Sequence, residues 1–98
     1  MKVTLKSVGN PDFGQNPNLP MYGAKKNSVV TVTSFKEASE ICIKFIEDND
    51  LGSGNWSGGE ILDDNKKIIA SVSYNGRVWE GDINDWNPNI KQIEIELL

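Results

Sequence analysis

Acid–base or nucleophilic chemistry in this chain would rest mainly on 14 carboxylates and one cysteine, because the sequence holds no histidine. A Ser-His-Asp triad is therefore impossible, and the side chain that most often acts as a base near neutral pH is missing. Glycoside hydrolysis would need two carboxyl groups facing each other across a cleft. The candidates are Glu60, Asp63, Glu80, Asp82 and Asp85. Nothing in their spacing sets two of them in opposition, and a solvated acidic rim explains them equally well. Cys42 falls inside the apolar stripe of a predicted helix. A buried structural thiol is expected there rather than a nucleophile, since no histidine stands ready to activate it.

Metal and phosphate chemistry fare no better. Asp48-x-Asp50-x-Gly52 starts like a calcium loop, but glycine stands where the third oxygen ligand belongs and Glu60 comes one residue late. The stretch GSGNWSGG, Gly52–Gly59, carries four glycines. A dinucleotide fingerprint needs a third glycine where Ser57 stands, and it links a strand to a helix; here a helix precedes and a strand follows. A P-loop needs a lysine that is missing. The expected role is structural: Gly52 caps the helix, and Gly54, Gly58 and Gly59 let the chain double back. Asn55-Trp56-Ser57 is a formal glycosylation sequon whose meaning depends on secretion. No metal and no cofactor are expected.

The aromatic residues carry more information. Trp56, Trp79 and Trp86 all lie in or beside turn-rich segments after the helix, and Tyr74 and Trp79 sit on the two arms of one hairpin. Large rings with a polar handle either fill a satellite core or form the anchors of a binding surface. Asn55, Trp56, Tyr74, Arg77, Trp79 and Trp86 are accordingly the candidate binding residues.

Composition bounds the partners. The formal charge is −4, and no basic run exceeds Lys25-Lys26 or Lys66-Lys67. Nucleic acid and anionic membrane surfaces are repelled at long range. The N-terminal MKVTLKSVGNP has no apolar core of signal-peptide length, and no stretch approaches the ~20 apolar residues of a membrane span. A cytoplasmic location is the expectation, with an extracellular mature form the alternative if a leader was removed.

The elements that must position these residues follow from periodicity. KVTLKSV alternates and reads as a strand. Residues at about 10–27 then hold prolines, glycines and asparagines, so a long irregular connection is expected. SVVTVTS is β-branched and reads as a second strand. Ser34 and Glu37 form a capping box ahead of FKEASEICIKFIEDN, whose Ala38, Ile41, Cys42, Phe45 and Ile46 make one broad apolar face. EILDD and KIIASVSY are the next strands, with Ile68, Ala70, Val72 and Tyr74 sharing a face. Asn75-Gly76 predicts a type I′ turn into RVWE, and IKQIEIELL closes the chain as a strand.

One domain spanning 1–98 is expected, of α+β class. It has a mainly antiparallel sheet of about five to six strands and one amphipathic helix packed on one face. The element order is strand-strand-helix-strand-strand-strand-strand. The favoured function is a non-enzymatic protein-interaction or regulatory domain binding another protein through its Trp-containing loops. A small-ligand or carbohydrate-binding module is the alternative, and a carboxylate-dependent hydrolase is the least favoured. Homo-oligomerisation through an edge strand is compatible with the pattern, and Glu94 and Glu96 on the last strand would guard such an edge or meet a basic partner.

Overall fold

The computed structural model describes residues 1–9, 27–81 and 90–93. Its elements are β1 (Lys2–Leu5), β2 (Ser28–Thr31), α1 (Phe35–Asp48), a 3-10 turn (Ser53–Asn55), β3 (Glu60–Leu62), β4 (Ile68–Val72), β5 (Val78–Glu80) and β6 (Gln92–Ile93). The six strands form one antiparallel sheet in the order β2-β1-β3-β4-β5-β6. The α+β expectation and its element order hold. Because β1 lies between β2 and β3, the chain leaving β2 must cross β1 to reach β3. Helix α1 is that crossover, and it lies against β1 and β4.

Local chemistry sets both ends of α1. The Ser34 hydroxyl accepts the Glu37 N–H at 3.1 Å, as predicted. The Glu37 carboxylate reaches back one residue further than a standard box, taking the Thr33 N–H at 3.1 Å. At the other end the reversal comes before Gly52. Asp50 adopts φ 52°, the Leu51 N–H donates to the Ile46 carbonyl at 3.0 Å, and the Asp50 N–H donates to the Glu47 carbonyl at 3.2 Å. This is a Schellman ending with aspartate in the left-handed position that glycine usually fills. Leu51 is buried directly after it, so the sequence places its apolar side chain, and the backbone at Asp50 accepts the strain.

The core lies between α1 and one sheet face. Val3, Leu5, Ile61, Ala70, Val72 and Val78 point from the strands. Ala38, Cys42, Phe45 and Ile46 meet them from the helix, with Val32 and Leu51 at its ends. Each large side chain buried here contributes roughly 1.5–3 kcal/mol of transfer free energy.

The β4 alternation read from sequence fails at both ends. A bulge sets Ile68 and Ile69 together across from Leu62, so Ile69, rather than Ile68, packs against the core. Tyr74 leaves the strand altogether, since β4 ends at Val72. The Asn75-Gly76 turn is also not type I′: of the two residues, Gly76 (φ 84°) has the positive φ. The Gly76 N–H donates to the Ser73 carbonyl at 2.9 Å and the Ser73 N–H to the Arg77 carbonyl at 2.8 Å, which makes a type I turn followed by a glycine bulge. The Asn75 side-chain oxygen accepts from the Ser73 hydroxyl (2.6 Å) and the Arg77 N–H (3.3 Å), and these bonds favour that geometry. The β3–β4 turn repeats the pattern, with Lys66 at φ 65° in the glycine place.

Candidate functional site

The GSGNWSGG loop is built as a brace. The Asn55 amide donates to the Val8 carbonyl at 2.9 Å, and its oxygen accepts the Gly52 N–H at 3.2 Å. The Val8 N–H returns to the Asn55 carbonyl at 2.9 Å, and Ser7 bridges to Trp56 as a short extension of β1. Asn55 is only 6% exposed. The amide that glycosylation would use is therefore buried and bonded, whatever the compartment.

Trp56 turns inward from this brace. Its indole N–H donates to the Val72 carbonyl at 3.1 Å, and its ring lies 6.0 Å from that of Phe45 at 54°. Gly58 and Gly59 make room for it. A Cβ at Gly58 would lie 2.9 Å from the indole, and one at Gly59 would lie 2.2 Å from the Val72 carbonyl oxygen. Gly59 also sits at φ 92°. Gly58 is tightest against the β1 side, where a Cβ would lie 2.6 Å from the Lys6 nitrogen, and Gly59 against β4, so no ligand is needed to account for them.

Trp79 occupies the other side of the sheet. The register sets Val29 beside Thr4, and aligns Glu60, Ser71, Trp79 and Gln92 in one row. The Thr4 hydroxyl meets that row by accepting the Glu60 N–H at 3.0 Å. Thr4 and Ser71 are short and buried, and Trp79 is the large ring beside them. Its indole N–H has a long 3.4 Å contact with the Ser73 hydroxyl. Arg77, two residues before Trp79 and on the same side of the hairpin by alternation, is exposed. Tyr74, at the hairpin tip, is 41% exposed, and its hydroxyl donates to the Leu51 carbonyl at 3.0 Å toward the helix side. The structure thus parts the predicted set: Asn55 and Trp56 bind the loop to the core, while Arg77 and Trp79 share the opposite side. Trp86 lies outside the described residues.

The carboxylates do not converge among the described residues. Glu60 is in the row with Trp79, whereas Glu80 follows Trp79 and projects to the other side of the sheet. Asp63 is held in its turn, where it accepts the Asn65 N–H at 2.8 Å and the Lys67 N–H at 2.9 Å. Asp82 and Asp85 lie outside the described residues, as do Glu94 and Glu96. Asp48 pairs with Lys44 at 3.1 Å. No group of three metal-ligating side chains gathers among the described residues. A depression of about 410 Å³ beside β2 is lined by Lys2, Val29, Leu62, Asp63, Asp64 and Lys66, with no aromatic ring. Burial in the core pushes the Cys42 thiol up to about 12 from its ordinary 9.0, so no thiolate forms near neutral pH.

Sequence reasoning missed Ser39. It is fully buried on α1, and its hydroxyl donates to the Gly76 carbonyl at 2.6 Å, tying the helix to the β4–β5 turn. The signal was present: Ser39 stands three residues before Cys42 and seven before Ile46, on the same stripe. No helix among the described residues is long and apolar enough to cross a membrane. The chain matches no protein-family model, no curated protein and no solved structure.

Proposed function

We propose that this domain is a non-enzymatic protein-binding module that docks through the side of its sheet opposite α1, with Trp79 as anchor and Arg77 beside it. The observation that carries the reading is the row in which Trp79 stands. A half-buried indole with a long 3.4 Å hydrogen bond sits beside the short Ser71, on the side of the sheet opposite α1. Tryptophan and arginine are the side chains most enriched among those that dominate protein interfaces. The other described tryptophan, Trp56, has its ring and its N–H committed to the fold. Tyr74, whose hydroxyl reaches the Leu51 carbonyl on the helix side, is not part of this surface.

The test compares Trp79→Ala and Arg77→Ala with the parent chain in affinity capture, with far-UV circular dichroism as the folding control. Both variants are expected to stay folded and to lose a protein that the parent retains. A folded Trp79→Ala domain that captures the same proteins as the parent refutes the reading. So does a glycan that shifts tryptophan emission in the parent and not in Trp79→Ala, which would favour a carbohydrate-binding module.

A further inference from the structure

The sheet has two edges among the described residues, and they are not alike. At one side the edge is β6, Gln92–Ile93. The other edge is β2, in the uncharged segment NSVVTVTS. Natural edges are usually blunted by lysine, proline or a bulge, and β2 has none of these.

Its backbone polarity can be read from the register. The Val32 N–H donates to the Met1 carbonyl at 2.9 Å, so Val32, Val30 and Ser28 turn their polar groups toward β1. Val29 and Thr31, which alternate with them, turn their N–H and C=O outward. Val29 is 54% exposed and Thr31 is also exposed. The same alternation sends the polar groups of Thr4 and Lys6 to the other side of β1, where their carbonyls accept from Gly59 and Ser57.

We propose that β2 is a self-association edge on which a second copy of this chain adds its own β2, antiparallel, about a two-fold axis at Val30. In that register Val29 faces Thr31 of the second copy and exchanges both backbone hydrogen bonds with it, and the symmetric pair does the same. Val30 meets its own counterpart with its polar groups already satisfied by β1. Valine and threonine are nearly isosteric, so the facing pairs fit without a gap. The seam from 28 to 32 carries no ionisable side chain, so two copies with like net charge meet there without facing charges. No foreign strand is needed to supply complementarity, because the strand is its own complement. The seam is far smaller than a stable interface, so association belongs to high protein concentration. It lies at the opposite end of the sheet order from Trp79, so it neither needs nor disturbs the surface proposed above.

Sedimentation equilibrium of the full chain up to about 1 mM tests this, since weak interfaces of this size populate only at such concentrations. A mass rising from 10.9 kDa toward twice that value is expected. Val29→Lys with Thr31→Lys puts like charges directly opposite in both symmetric pairs and should raise the dissociation constant about tenfold or more. Val29→Glu with Thr31→Lys puts opposite charges there and should restore association. Both variants change side chains that β1 does not hold in the core, and circular dichroism checks that the fold is kept. A parent chain that stays monomeric overturns the proposal, including the case in which the edge accepts only a foreign strand. Folded double-lysine chains that associate like the parent overturn it too, as does failure of the Glu/Lys variant to recover. Trp79→Ala should leave the dimer unchanged, so the two proposals fail separately.

Discussion

Replacing Trp56 and Trp79 one at a time separates the two roles that tryptophan plays in this domain. Trp56→Ala removes an indole packed on Phe45, deletes its hydrogen bond to the Val72 carbonyl, and leaves a space lined by Gly58 and Gly59. Full burial would set the loss at ~3–5 kcal/mol; half-burial lowers it to about 3, of which the hydrogen bond contributes ~1. Trp56→Phe keeps the ring contact and gives up the bond, so it should cost about 1–1.5 kcal/mol. Trp79→Ala, with its long 3.4 Å contact and its place outside the helix-facing core, should cost less than about 1 kcal/mol. For a domain of this size each kcal/mol lowers Tm by roughly 4–8 °C, so the Trp56→Ala shift is about 12–24 °C. Thermal and urea unfolding followed by far-UV circular dichroism reads this without relying on the fluorophore being changed. Equal losses for the two alanine variants, or a Trp56→Ala loss below about 1 kcal/mol, would refute the assignment of Trp56 to the core and Trp79 to the surface.

Further outcomes follow from the same geometry. Ser39→Ala strips the buried Gly76 carbonyl of the Ser39 hydroxyl and should destabilise by ~1–3 kcal/mol in urea titration, although the change removes a polar atom from the core. Lys66→Gly relieves a left-handed residue at a cost in unfolded-chain entropy, for a net gain of about 0.5–1 kcal/mol. Asp50→Gly should gain at least as much, because it also removes a negative charge from the C-terminal end of α1; a fall in urea midpoint for either variant would contradict this. Cys42 should resist a thiol reagent in the native state and react once unfolded. The folded thiol keeps its proton above 9.0 while the unfolded one loses it, so this contribution to stability is intact below pH 9.0 and is lost toward about 12. The difference in Tm between parent and Cys42→Ala, followed from pH 8 to 10, measures it.

Much of the fold was legible because its signals are local. The Ser34 cap, the apolar stripe from Ala38 to Ile46 and the β-branched run from Val29 to Thr33 each act over a few residues, and each predicted its element. The turn chemistry was only half legible. Glycine after asparagine suggested a type I′ turn, but the choice was made by the Asn75 side chain and by Ser39 reaching across from the helix. The αL residue ending α1 was missed for a related reason. Burial of Leu51 fixes the chain one residue past Asp50, and a tertiary contact outweighs the preference for glycine.

The sequence by itself determined the element types, the absence of histidine chemistry and the richness in tryptophan. Only the tertiary structure decided which tryptophan belongs to which role. Trp56, between Asn55 and Ser57, and Trp79, between Val78 and Glu80, both stand beside turn-forming segments in sequence. Placing β1 between β2 and β3 sends α1 over one sheet face, and that face receives Trp56 through Val72 and Phe45. The alternation of β5 then puts Trp79 on the face that the helix does not reach. Strand order also left β2 at an edge. Strand order depends on pairings between residues distant in the chain, and no window of neighbouring residues encodes it.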